Sequence, residues 1–331
     1  ACSAPETSVP AALTVTAKAE TDPVETQDDA ADDPAIWRNA ANPAGSLVIG
    51  TDKKAGIHVY DLAGKRLSFT PSPRLNNVDL RQNTLIDGTA GVLVAASNRE
   101  DEESAKVSLF RLETQEARLV PLGTYPVGPG EAYGLCLWTR ASDSVLFGFL
   151  VLKDGRIDQL RIDVGTTQPQ VTKVRSLKLG SQSEGCVVDD RTGILYVAEE
   201  NVGLWRFDAD PLGSSEPVSI AKVDKVNLFE DVEGLALAPS GADQGYLIAS
   251  SQGDNAYAVY RLPELTFVNR FRIGEGAIDG VSETDGIELM LGDMGPDYPR
   301  GLLVVQDGDN APEMQNFKYV DWGAVSDALG L

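Results

Sequence analysis

Short apolar runs separated by tight polar turns set the rhythm of this chain. The stretch 184–207, EGCVVDDRTGILYVAEENVGLWRF, shows the unit plainly. An apolar run (186–188) follows a leading Glu-Gly. The turn Asp190-Arg-Thr-Gly sends the chain back through 194–198, and a second turn at Asn201-Val-Gly leads into Leu204-Trp-Arg-Phe. Runs of this length, punctuated by Gly, Asn and Asp, predict antiparallel strands rather than helices. In an antiparallel hairpin the start of one strand and the end of the next lie together. Glu184, Glu199 and Glu200 are therefore expected to emerge at one end of the unit.

The same grammar recurs six times. Copies begin near Asp32, Asn77, Tyr133, Glu184, Asp231 and Asp285, at a spacing of roughly 46 to 55 residues. That period suits blades of four strands and predicts an all-β, six-bladed β-propeller of antiparallel blades. Residues 13–331 read as one such domain, after a flexible exported segment at 1–12. The extended segment 13–20 is expected to pair into the last blade and close the ring, which removes an exposed edge.

Propeller topology then gathers the chemistry. In each blade the start of the innermost strand and the end of the second face the same mouth of the channel. Second-strand ends supply Lys53, Lys54, Asn98, Arg99, Lys153, Asp154, Glu199, Glu200, Gln252 and Asp307. First-strand starts supply Asp32, Asp33, Asp79, Tyr133, Glu184, Asp231, Glu233 and Asp285. The mouth thus divides into a basic arc from the first three blades and an acidic arc from the last three.

Composition narrows what this mouth can do. Asp and Glu outnumber Lys and Arg by 50 to 28, for a formal net charge of -22, which disfavours a nucleic-acid partner. No apolar run approaches the roughly 18 residues of a membrane helix. The opening Ala-Cys-Ser suggests an exported chain, with Cys2 a candidate lipid anchor. Cys136 and Cys186 sit in apolar strand contexts and read as buried packing residues. The single histidine, His58, lies mid-strand in Gly-Ile-His-Val-Tyr, away from the mouth, which argues against a histidine nucleophile or a Ser-His-Asp triad. Nothing asks for an obligate oligomer, and a monomer is expected.

Like-charged carboxylates crowded at one mouth repel strongly unless a cation lies among them. With oxygen ligands and no His or Cys at the site, calcium is favoured over zinc or copper. The basic arc wants an anion, with Arg99 able to hold two phosphate oxygens and the lysines acting as point charges. Together these features predict metal-dependent hydrolysis of an ester carrying several phosphates. The rivals are a calcium-stabilised propeller that only binds a partner, and a calcium-dependent lactonase-like propeller. Neither has a use for three Lys and an Arg opposite the carboxylates.

At this level the chain resembles the β-propeller phytases, alkaline calcium-dependent 3-phytases. The resemblance runs over 20–322 and rests on Asp-Asp-Ala-Ala-Asp-Asp-Pro-Ala-Ile-Trp (28–37), Leu-Asn-Asn-Val-Asp (75–79), Ala-Ala-Ser-Asn-Arg (95–99), Leu-Tyr-Val-Ala-Glu-Glu (195–200), Ala-Ser-Ser-Gln-Gly (249–253) and Thr-Asp-Gly-Ile (284–287). It implies hydrolysis of phytate, myo-inositol hexakisphosphate, by direct attack of water, with adjoining cleavage and affinity sites for two phosphates. By the same resemblance Glu184, Glu200, Asp231, Glu233 and Asp285 are calcium ligands of the cleavage site, with Asp32 beside them. Tyr133 contacts phosphate; Lys53, Lys54 and Arg99 form a phosphate clamp. Lys153, Asp154 and Gln252 belong to the affinity site. Glu20, Asp307, Asp309 and Asn310 form a structural calcium site, and Asp33 with Asp279 another. Asp154 stands where the family more often has Glu, one methylene longer.

Overall fold

The computed structural model describes residues 11–72 and 74–331, so Cys2 and most of the proposed exported segment lie outside it. Six antiparallel sheets follow one another around a central channel, each blade running from its innermost strand outward. The innermost strands are Ala31–Trp37, Leu75–Ile86, Ala132–Thr139, Ser183–Asp189, Val232–Ser240 and Ile287–Leu291. Second strands are deeply buried; every residue of Leu47–Asp52, Leu146–Leu152 and Gly301–Asp307 is buried. Both faces of those strands are covered by neighbouring blades, which explains why they read as unbroken apolar runs rather than alternating ones. Apolar side chains interlock between blades, as where Phe149 and Leu177 of the third blade meet Leu195 and Phe207 of the fourth. The six-bladed β-propeller expected from the period is the fold observed.

Two local devices bring the mouth residues together. In five blades the innermost strand breaks register as it enters the channel, between Ala31 and Pro34, Leu75 and Val78, Ala132 and Gly134, Ser183 and Cys186, and Val232 and Leu235. The residues inside these irregularities are Asp32 and Asp33, Asn76 and Asn77, Tyr133, Glu184, and Glu233. A bulge leaves residues unpaired and re-aims their side chains. The second device is close approach. A Cβ on Gly134 would lie 1.9 Å from the Glu184 backbone oxygen, and one on Gly234 would lie 2.6 Å from that of Asp285. Gly185 and Gly286 stand in the same relation to Glu233 and Asp32. Only hydrogen fits there, so each blade can press its acidic residue inward against its neighbour.

The N-terminal segment closes the ring differently from expectation. Ala19–Glu20 pairs antiparallel with Asn316–Asp321 as the fourth strand of the last blade. Leu13–Thr16, however, adds to the fifth blade, parallel to Thr266–Gly274. Val15 and Ala17 explain the split, because both are buried in the apolar seam between those blades with Phe271, Trp322 and Val325. The segment thus bridges two blades. The C-terminal helix Trp322–Leu329 covers the same seam, capped by Asp321, which accepts from the Gly323 amide at 3.0 Å.

Cys136 and Cys186 also depart from the sequence reading. They are joined in a disulfide across the third and fourth blades, with Cα atoms 5.7 Å apart. Fifty residues separate them in sequence, and only the equivalent position of each in its own blade makes them neighbours. His58 is fully buried, packed against Tyr60 and Phe69. Burial holds its pKa down at about 4, so it is neutral at physiological pH. Among the described residues no helix is long and apolar enough to cross a membrane.

Candidate active site

Glu184, Glu200 and Glu233 form the centre of the mouth. Each is buried, and each offers an oxygen within 4.8 Å of the other two. Glu184 and Glu233 project from bulged innermost strands; Glu200 follows the second strand of the fourth blade, Ile194–Glu199. Its neighbour Glu199 does not join them, contrary to expectation, because strand alternation turns it outward to accept from Ser181 and Trp205. Burial raises Glu184 and Glu233 well above the ordinary carboxylate range, and neighbouring carboxylates raise them further. Glu200 is pushed up to about 7, chiefly by burial and then by the charge of Asp231, a half-exposed residue at the rim. Glu200 Oε1, Glu233 Oε2 and Asp32 Oδ2 are buried without any hydrogen-bond donor. Buried carboxylate oxygens without donors, two of them in the glutamate trio, are suited to a hard divalent cation.

Lys53 lies within this acidic ring rather than on a separate basic arc. Its ammonium is 2.6 Å from Asp29, 3.1 Å from Asp32 and 3.0 Å from Asp285. Burial alone disfavours its charge, yet these three carboxylates outweigh burial and shift its pKa upward. Asp285 is held from several sides: it accepts from Gln252 at 2.7 Å, and its backbone amide donates to Gln306. Lys54 turns away from Lys53 to donate to the carbonyl of Gln27.

The cationic side of the mouth centres on Tyr133. Arg99 and Lys153 stand over its ring at 5.3 and 5.2 Å from the centroid. The charge of Glu184, then burial, raise the Tyr133 pKa, so its phenol stays protonated and can donate. Arg99 donates to Asn76 Oδ1 at 3.0 Å, and Asn76 donates to Glu184 at 2.8 Å, linking the cationic and anionic halves. Asp154 stays outside, exposed, where its carboxylate accepts from the Arg156 amide at 2.9 Å.

A second cluster ties the N-terminal segment to the last blade, with a lysine at its heart. Lys318, fully buried, donates to Glu20, to Asp279 at 2.7 Å and to Asn310 at 2.9 Å, and lies 3.2 Å from Asp307. Asp309 is exposed and apart from it. Asp33 and Asp279, expected to share a site, are separated. Asp279 belongs to the Lys318 cluster, whereas Asp33 is buried in the channel and accepts from the Val78 amide at 2.9 Å.

Sequence reading missed Asp29, Asn76, Glu131 and Lys318. Asn76 lay within the quoted Leu-Asn-Asn-Val-Asp motif, and only the bulge shows that it turns inward. Lys318 sits mid-strand in Asn-Phe-Lys-Tyr, where alternation gives no sign of an internal cation.

The sequence profile of the Phytase family matches residues 1–331. The chain is 40% identical over 329 residues to a 3-phytase of Bacillus subtilis (strain 168), covering 96% of this chain and 85% of that protein. In fold it is similar to a crystal structure of a functionally unknown protein from Desulfotomaculum acetoxidans DSM 771, at TM-score 0.51 and 15% identity, covering 74% of this chain and 73% of that one. The match over the whole length, together with 40% identity to a 3-phytase, places the chain in the phytase family.

Proposed function

We propose that the enzyme hydrolyses phytate to lower inositol phosphates and inorganic phosphate at the mouth built by Glu184, Glu200, Glu233 and Tyr133, with calcium as its cofactor. The observation that carries this is the trio of buried glutamates whose oxygens converge within 4.8 Å beside two cations stacked on one tyrosine. Glu184, Glu200 and Glu233 would hold the central ion, with Asp32, Asp231 and Asp285 around them. When bound, calcium supplies positive charge against a phosphate group and acidifies water.

The chain's own residues do the rest. Arg99 and Lys153 bind phosphate oxygens, and the Tyr133 phenol donates to another. Asn76 fixes the Glu184 carboxylate relative to Arg99. Lys53 offsets the charge of Asp32 and Asp285, which otherwise repel a polyanionic substrate. Gln252 orients Asp285 on the side assigned to the neighbouring affinity phosphate. Water attacks phosphorus directly, the bond from phosphorus to the inositol oxygen breaks, and a proton from the water passes to that oxygen, leaving an inositol hydroxyl and inorganic phosphate. His58 is buried away from the mouth and Cys136 and Cys186 are bonded to each other, so none of the three is a nucleophile.

The Glu20 cluster would hold calcium beside a lysine rather than through carboxylates and Asn310 alone. Lys318 offsets only one of the three charges of Glu20, Asp279 and Asp307 and fills the space between them, so an ion belongs on the outer side, where Glu20, Asp279 and Glu313 line a cavity of about 470 Å³. Export also fits, because a disulfide persists in oxidising compartments.

The test is phosphate release from phytate, with calcium and with chelator, for the natural enzyme and Glu200→Gln. Calcium-dependent release that the substitution abolishes is the expected result. No release at any calcium concentration, with calcium still raising the melting temperature, would leave a propeller that binds rather than cuts.

A further inference from the structure

Glu131 faces the two cations beside Tyr133 rather than the acidic ring. It stands just ahead of the innermost strand of the third blade, with its side chain 16% exposed. One carboxylate oxygen is 3.0 Å from an Arg99 guanidinium nitrogen, and the other is 3.8 Å from the Lys153 ammonium. The Glu131 carbonyl also accepts from the Lys153 amide at 3.1 Å, so the backbone fixes where the carboxylate begins. Arg99 and Lys153 both stand over the Tyr133 ring and both approach Glu131, and two like charges so placed repel. A carboxylate bridging them relieves that repulsion. The contact with Arg99 is close but off-axis, for Glu131 Oε1 accepts no directional hydrogen bond although a terminal guanidinium nitrogen lies 3.0 Å away. Glu131 therefore acts on Arg99 through its charge.

We propose that Glu131 is a positioning residue of the phosphate clamp, an internal counter-ion that holds Arg99 and Lys153 around Tyr133 and sets how tightly they grip a phosphate. This rests on the reading of Arg99 and Lys153 as phosphate-binding groups. Two cations less one carboxylate leave one net positive charge; without Glu131 there are two. Product phosphate must depart from beside the same cations that bound substrate. A clamp with both charges bare tightens on substrate and product alike, which gains nothing at saturating substrate. Glu131 gives up that uniform affinity in favour of release.

Glu131→Gln removes the charge and keeps the shape, whereas Glu131→Asp keeps the charge. Each is compared with the natural enzyme at fixed calcium for KM and kcat on phytate, inhibition by inorganic phosphate, and thermal melting. In Glu131→Gln the phosphate inhibition constant and KM are expected to fall together by about threefold to tenfold, the scale of one unit charge acting over ~5 Å in largely aqueous surroundings. The melting curve stays close to the natural one, and Glu131→Asp restores the natural constants. A phosphate inhibition constant that is unchanged or raised in a folded Glu131→Gln overturns the proposal and leaves an ordinary ion pair. Arg99→Ala, measured alongside, separates the two layers. If it leaves inhibition by phosphate unchanged, the assignment of Arg99 as a phosphate ligand fails, whatever Glu131 shows.

Discussion

A Cβ placed on Gly185 would lie 2.2 Å from the backbone oxygen of Glu233. The innermost strands of the fourth and fifth blades therefore touch backbone to backbone at the level where Glu184 and Glu233 turn inward. This contact is how the fold brings two buried carboxylates within reach of one ion.

Gly185→Ala must push those strands apart, since the obstacle is backbone and cannot rotate away. Misplacing catalytic groups by about 1 Å costs on the order of a hundredfold in rate. The expected outcome is a loss of phytate hydrolysis of about tenfold or more, with a smaller rise in melting temperature on adding calcium. Natural activity in this variant would show that the convergence of Glu184 and Glu233 does not depend on the contact.

Lys318 offers a test on the opposite side of the ring. Its buried ammonium serves Glu20, Asp279, Asp307 and Asn310 at once. Lys318→Met leaves these carboxylates without their counter-charge, and breaking a buried pair in this way costs about 3–5 kcal/mol. Denaturant unfolding in chelator should show that loss. Glu20→Ala should cost less, because Glu20 is partly exposed, 35% accessible, and Asp279 and Asp307 remain on the lysine. If Glu20→Ala proves the more damaging, the N-terminal strand is held by the carboxylate itself rather than by the lysine.

The acidic ring also sets a pH dependence. Glu200 and Asp285 titrate at about 7 in the folded protein, raised from ordinary values of 4.5 and 3.8, mainly by burial. Between those limits the folded state binds more protons than the unfolded state. Their contribution to stability is thus full below the unfolded values and is lost as pH rises through about 7. Chelated protein should melt lower at pH ~8 than at pH ~6, by about 5 °C or more. Saturating calcium should flatten or reverse this trend, because it favours the ionised carboxylates. Thermal melts across that range decide the matter, and identical slopes with and without calcium would place the ion elsewhere.

Much of this was legible in the sequence, and the limits are physical. The period of the apolar runs gave six blades because each blade buries one continuous second strand, such as Leu146–Leu152. Strand starts and ends marked the mouth, whereas the role of Gly185 and Gly286, which let the blades meet backbone to backbone beside the acids, shows only in the fold. Strand order alone did not reveal which neighbours turn inward. Glu199 and Glu200 are adjacent, and alternation sends one to Trp205 and the other to the channel. Lys53 read as part of a basic arc, since nothing local announces that Asp29 and Asp285 close around it. The disulfide was invisible for a similar reason: its cysteines meet only through the stacking of one blade on the next.

That disulfide poses the last question, whether it shapes the site or only the stability. Cys136 lies three residues beyond Tyr133, and Cys186 two beyond Glu184, so it ties together the strands that carry both. Yet those strands are already held without it, since Gly134 packs directly against the Glu184 backbone. Its main effect should then fall on the unfolded chain, where closing a loop of this length is worth about 4 kcal/mol in the chain-entropy account. The double variant Cys136→Ala, Cys186→Ala should therefore unfold at lower denaturant concentration while keeping kcat/KM for phytate within about twofold wherever it is folded. Reduction of the natural enzyme should do the same. A fall in kcat/KM with the fold intact would mean instead that the blade-to-blade packing is insufficient, and that the sulfur bridge holds Tyr133 and Glu184 in register.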